Sequence, residues 1–183
     1  VEFWKIVFTR YSTSELIFHD PLDPLKIYKV LEMREDAPRR LIHEQRKKVL
    51  AELGLDQDDA RVRAQRGVKE RFAVGLQRSR KYISQIQQIF REEGLPVELA
   101  YLPLVESAFN VHARSRVGAL GMWQFMPATG RRFLRIGPGL DERKDPLDST
   151  RAAARLLKEN FQAFGNWPLA ITAYNHGREG LQR

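Results

Sequence analysis

Glu106 closes an apolar run, Leu102-Pro103-Leu104-Val105. A carboxyl held at the end of such a run has its charged form disfavoured, so its pKa should rise. A carboxyl that stays protonated near neutral pH is what general-acid catalysis needs. Asp and Glu are absent from Ser107 to Leu140, so no second carboxylate lies close in sequence. The usual glycosidase has two, one as acid and one as nucleophile or base. The stretch continues through a polar, basic loop, Asn110 to Arg116, and a glycine-flanked turn, Gly118 to Gly121, to the pair Trp123-Gln124. Gln124 offers both donor and acceptor, which suits an acetamido or hydroxyl partner. Later comes Ala173-Tyr174-Asn175-His176-Gly177, with a phenol and an amide at the end of an apolar segment. A Tyr174 hydroxyl reaching Glu106 would orient it, and Asn175 would brace the loop.

These residues need a scaffold, and apolar periodicity says it is helical. Phe3/Trp4, Val7/Phe8 and Tyr11 fall at helical spacing and predict a short amphipathic helix. Glu15–His19 and Ile27–Leu31 read as extended segments around the turn-forming run Asp20-Pro21-Leu22-Asp23-Pro24, a small hairpin. A helix is expected from Ala37-Pro38 to near Gly54, then a polar helix or loop over Asp56–Arg66. Val68–Glu93 reads as one long helix, or two joined near Arg80, ended by Gly94. Leu95-Pro96 opens a buried helix that Pro103 should kink just before Glu106. Met126-Pro127 should start a helix through Leu134. Asp148 is the expected N-cap of a helix running from Ser149 to Phe164, and a short buried helix covers Trp167–Tyr174. The fold class is mainly α. An N-terminal extension, 1–93, should pack through Phe3, Trp4, Val7 and Phe8 on a catalytic block, 94–183.

The chain has 183 residues, enough for one domain with a core or one domain plus an extension. No apolar run is long enough to span a bilayer. There is no signal peptide and no initiating Met, so a trimmed or processed piece is expected. With no Cys among these 183 residues, no disulfide, Cys-based metal site or lipid-anchored Cys is expected within them. The four His residues show no metal-ligand spacing and no phosphate loop appears, so neither metal nor cofactor is expected. Net charge is +8, with excess cations between Arg61 and Lys81. An anionic partner such as a nucleic acid, lipid headgroups or peptidoglycan fits this charge, and so does a plain solvated helix face.

Glu106-Ser107, the glycine turn ending in Met122-Trp123-Gln124, and Ala173-Tyr174-Asn175 resemble, in that order, the motifs of the family 1 lytic transglycosylases. The Trp123 version, with Asp141-Glu142-Arg143 and Asp145-Pro146 downstream, looks most like the membrane-bound lytic murein transglycosylase D branch. The resemblance is dense over Gly94–Gly177, and three motifs in order are a specific signal. It implies a lysozyme-like, goose-type helical domain that cuts the β-1,4 bond between N-acetylmuramic acid and N-acetylglucosamine without water, leaving 1,6-anhydro ends. Glu106 would be the single acid and base. Ser115, Gln124, Met126, Tyr174 and Asn175 would contact or frame the sugar. The implied setting is the periplasm, at the outer membrane, with peptidoglycan glycan strands as partner and no nucleic acid. Membrane association would run through segments outside this sequence. The family pattern continues past Gly177 with helices closing one side of the cleft, so the chain is expected to be C-terminally incomplete. His176 replaces the family's usual small residue.

Other readings compete. A goose-type lysozyme-like hydrolase would share the fold and use water as nucleophile. A non-catalytic peptidoglycan-binding domain would not need Glu106, and a nucleic-acid binder would show affinity falling steeply with salt. For single residues, Ser115 as a loop cap, Gln124 as a backbone brace, and Tyr174 and Met126 as core are the structural alternatives.

Overall fold

The computed structural model describes residues 1–181. The chain divides into two compact units, Val1–Val74 and Gly75–Arg183. The divide falls earlier in sequence than residue 93, so the helix over 83–92 belongs with the second unit.

In the first unit, α1 (Glu2–Thr9) precedes the hairpin β1 (Glu15–His19) and β2 (Ile27–Glu32). The helix α2 (Arg39–Glu52) leads to β3 (Arg63–Arg66), and the antiparallel sheet has the order β2-β1-β3. The period of two along β1 explains its burial on both faces. Leu16 and Phe18 join Val49 and Leu50 of α2, whereas Ile17 joins Phe3 and Val7 of α1. Phe3 and Val7 are thus buried within their own unit, and Trp4 remains half exposed. Of the helix or loop expected over 56–66, residues 56–62 are a loop and 63–66 are corrected to strand by β3. Its residues, Arg-Ala-Gln-Arg, carry little strand propensity, and pairing with β1 makes the strand. Arg46 Nε donates to Val62 O at 2.7 Å, tying α2 to it. The basic stretch is partly compensated: Arg61 pairs with Asp59, and Arg71 with Glu35.

The second unit is helical apart from a two-residue-strand hairpin, β4 (Ile136–Gly137) and β5 (Leu140–Asp141). The helix α3 (Lys69–Ser79) carries the divide, and α4 (Ile83–Glu92) follows. The helix expected from Leu95-Pro96 is instead a 3-10 turn, Val97–Tyr101, followed by α5 (Pro103–Glu106). Pro103 starts this new turn at its first position, where its missing N–H is harmless, so it does not kink a longer helix. α6 (Pro127–Gly130) stops short of Leu134, and irregular turns follow. α7 (Pro146–Phe164) is the central element, α8 (Trp167–His176) returns along it, and α9 (Arg178–Leu181) ends the described residues.

α7 begins earlier than expected. Asp145, not Asp148, is its N-cap, with the Asp145 side chain accepting from the backbone N–H of Leu147 and Asp148. Pro146 fits directly behind that cap. Ala152, Ala153, Ala154, Leu156 and Leu157 of α7 are buried against Ile86, Ile89 and Phe90 of α4. Trp123 is fully buried in this core, its ring stacked on Phe90 at 5.7 Å between centroids. Among the described residues no helix is long and apolar enough to cross a membrane.

Candidate functional site

Glu106 is the last residue of α5, where the chain leaves helical geometry at Ser107. The next turn is unusual: Ala108 and Phe109 both have positive φ, 51° and 55°. Such conformations cost non-glycine residues about 1–3 kcal/mol each and persist only where the surroundings impose them. Three contacts impose this one. Phe109 is buried, its N–H donates to Pro103 O at 3.1 Å, and Ser107 Oγ donates to Met122 O at 2.7 Å. Gly75 packs so closely on this turn that an added Cβ would lie 3.2 Å from Ala108 Cα. The end of α5 is therefore pinned to the Met122-Trp123-Gln124 segment by the Ser107 hydroxyl.

The loop from Asn110 to Met126 folds back in short bridges, Arg114 with Leu120 and Leu120 with Phe125. Gly121 is required there on two counts. Its φ is +81°, and a Cβ would sit 1.8 Å from the backbone oxygen of Arg143. Arg143 is buried, pairs with Asp141 at 2.7 Å, and donates from Nη1 to the carbonyls of Gly118 and Phe125, each at 3.0 Å. One guanidinium thus fixes both arms of the loop.

These elements enclose a cleft of about 270 Å³. All six residues singled out in the sequence line it: Glu106, Ser115, Gln124, Met126, Tyr174 and Asn175. Glu106 is half-buried, and burial raises its pKa above the ordinary 4.5. The Asn175 amide opposes this in part, because a hydrogen-bond donor favours the carboxylate. Among the described residues lining the cleft, no other carries a carboxyl. The downstream acids are committed elsewhere: Asp141 to Arg143, Glu142 to Arg135, Asp145 to its cap and Asp148 to Arg151.

The hydrogen bonds refine several expectations. The Tyr174 hydroxyl does not orient Glu106; it donates to Trp123 O at 2.7 Å, holding the backbone just before Gln124. Burial, then the Glu106 charge, pushes the Tyr174 phenol well above its usual value, so it remains a donor. Asn175 faces Glu106 rather than bracing the loop. Ser115 Oγ accepts from Ala119 N at 2.9 Å, which leaves its own proton for a ligand. Gln124, at φ +51°, uses its side-chain nitrogen to brace Ala113 O and Gly121 O, and its amide oxygen is left to accept. Met126 is 41% exposed, so it is cleft wall and not core.

The sequence assigned no role to Ser107 or to Arg143 as a brace, nor to Val117, Ala119 and Thr129 in the wall. The alternation of 115, 117 and 119 toward one side was the available signal.

A family model described as the transglycosylase SLT domain matches residues 83–183. The chain is 39% identical over 102 residues to the membrane-bound lytic murein transglycosylase D of Escherichia coli (strain K12), an alignment covering 55% of this chain and 23% of that protein. It is 41% identical over 108 residues to a putative tributyltin chloride resistance protein of Alteromonas sp. (strain M-1), covering 58% and 52% respectively. A transglycosylase of Enterobacteria phage PRD1 matches at 36% identity over 72 residues, 39% of this chain and 25% of that protein. The chain thus spans between about a quarter and about half the length of these relatives.

Proposed function

Since the chain belongs to the transglycosylase SLT domain family, whose fold is lysozyme-like and helical, we propose that it cleaves peptidoglycan glycan strands as a lytic transglycosylase. The observation that carries this reading is a cleft with one carboxyl, Glu106, whose pKa burial raises, and otherwise lined by hydroxyls, amides and apolar wall. A second carboxyl would be needed about 5–5.5 Å away for retaining hydrolysis, or about 6.5–9.5 Å away for inverting hydrolysis.

In the proposed reaction, Glu106 gives its proton to the glycosidic oxygen as the bond from that oxygen to C1 of N-acetylmuramic acid breaks. The 2-acetamido group supports the developing positive charge at C1. The sugar's own C6 hydroxyl then attacks C1, and its proton passes to Glu106, restoring the starting state. The attack is intramolecular, where effective concentrations can reach about 10⁵ M or more, so the enzyme needs no positioned water. The Ser115 hydroxyl and the Gln124 amide oxygen supply a donor and an acceptor for the sugar's polar groups. Tyr174 positions that wall through Trp123. The inferred place of action is the periplasm, at the outer membrane; the Escherichia coli relative bears the name membrane-bound.

Digestion of purified sacculi with the chain, followed by mass spectrometry of the products, tests this reading. The expected products end in 1,6-anhydromuramic acid, one water lighter than a reducing end. Glu106→Gln should reduce their formation by about 10³-fold or more while circular dichroism is unchanged. Reducing ends from the intact chain would assign a hydrolase instead. No cleavage together with retained binding to sacculi would assign a binding domain.

A further inference from the structure

The hairpin formed by residues 112–120 has two faces, and the proposed reaction uses one. Side chains alternate along it as they do along a strand. Ser115, Val117 and Ala119 face the cleft, while His112, Arg114 and Leu120 face a second cavity of about 420 Å³. Gly118, Pro127, Asp141, Arg143 and Lys144 complete that cavity.

The second cavity is cationic. Arg143 is neutralised by Asp141, whose carboxyl it holds below the usual range. Arg114 and Lys144, by contrast, form no ion pair among the described residues, and both are exposed at the cavity wall. Two uncompensated cations in one concavity, with the His112 ring beside them, form a receptor for an anion. The Arg114 guanidinium presents the planar fork that matches a carboxylate, and Lys144 adds a point charge. Asp141 in the same wall repels a dianionic phosphate more strongly than a singly charged carboxylate.

We propose that this cavity is a subsite for a carboxylate of the acidic peptide carried by substituted glycan strands, so that the enzyme reads the peptide as well as the sugar. This rests on the reading of the cleft as a glycan site. The two cavities lie on opposite faces of one hairpin, whose exposed tip is Arg116-Val117, and a peptide on a sugar held in the cleft passes that tip to reach the second cavity.

Two measurements test the proposal, one of them independent of catalysis. The labelled chain is titrated by NMR with the free tripeptide L-alanyl-γ-D-glutamyl-diaminopimelate and, separately, with inorganic phosphate. The expected result is a tripeptide response at the His112, Arg114 and Lys144 amides, weakened about tenfold in the double variant Arg114→Gln/Lys144→Gln, with phosphate binding more weakly than the tripeptide. Equal tripeptide affinity in the double variant, or phosphate binding as tightly, would overturn the subsite. The second measurement compares cleavage of peptide-bearing glycan with that of glycan stripped of peptide by an amidase. KM for the peptide-bearing strand should rise about tenfold in the double variant with kcat unchanged, and neither constant should move on the stripped strand. An equal change on both substrates would also overturn the proposal. If the unaltered chain cleaves neither strand, the reading of the cleft fails, and the titration still decides the subsite.

Discussion

α7 and the loop from Ser107 to Met126 wall the same cleft, and they are held in place by different physics. α7 is regular: a side-chain cap at Asp145, a left-handed Gly165 at its end, and a buried stripe of Ala and Leu between. Its stability is spread over many apolar contacts, each small. The loop also anchors apolar side chains in the core, Phe109, Met122, Trp123 and Phe125, but between them its backbone is irregular. The path between those anchors is set by single polar bonds to carbonyls, from Ser107, Gln124, Arg143 and Tyr174, and it carries Gln124 at positive φ. The preceding turn adds Ala108 and Phe109. Strain and individually decisive hydrogen bonds thus gather around the cleft that Glu106, Ser115 and Gln124 line. Damage to α7 should lower stability and spare the activity of whatever remains folded, whereas damage to the loop should lower activity even where folding survives.

The largest effect belongs to Gly121→Ala. A methyl group would meet the Arg143 backbone, which cannot move like a flexible side chain, and the backbone angle is strained as well. A loss of about 4 kcal/mol or more is expected by urea denaturation, with cleavage abolished in the fraction that folds. On the α7 side, Leu157→Ala removes a fully buried side chain. It should cost about 3 kcal/mol through lost burial and the cavity left behind. Specific activity per folded molecule, measured at a temperature where both proteins are folded, should stay within twofold of the parent.

A matched pair sharpens the contrast. Asp145→Ala removes the α7 cap and Tyr174→Phe removes the donor to Trp123 O, each an expected loss of about 1 kcal/mol. The cap variant should cleave normally. The Phe variant should lose several-fold in kcat, because the carbonyl it frees belongs to the residue before Gln124. Equal activities in the two would show that the loop is held redundantly.

The same division governs how much the sequence disclosed. The apolar stripes of α4 and α7 were legible because tertiary packing in this unit follows helical periodicity. The start of α7 was misplaced by three residues because Asp145 and Asp148 both precede plausible helices, and only the hydrogen bonds discriminate. β3 was hidden because Arg-Ala-Gln-Arg becomes a strand only beside β1. The six residues expected at the site all line the cleft and were identifiable: Glu106, Gln124, Tyr174 and Asn175 sit in three short motifs, and Ser115 and Met126 lie on the loop between and beside them. Their partners were not, since a side chain's choice among distant backbone carbonyls is set by the folded path. Tyr174 is the case in point: its hydroxyl finds Trp123 O, 51 residues away, rather than the nearby acid.

The smallest effect separates function from stability within Glu106 itself. Burial raises its pKa above 4.5, so the folded state binds the Glu106 proton more tightly than the unfolded chain does. The contribution of this group to stability is therefore fully present below its unfolded pKa and is lost as pH rises through its folded pKa. At neutral pH the carboxyl is held at some cost to the fold. Glu106→Gln, which carries no titrating proton, should then be slightly more stable than the parent at pH 7, and the difference should vanish as pH falls below 4.5. Cleavage by the parent should show the mirror dependence, falling as pH rises through the same raised pKa, because the proton given to the glycosidic oxygen is then missing. Urea denaturation of both proteins at a series of pH values, set beside the parent's rate profile, checks both. A gain for Gln that persists unchanged at low pH would mean that the carboxyl's shape, not its charge, strains the site, and would remove burial as the cause of its raised pKa.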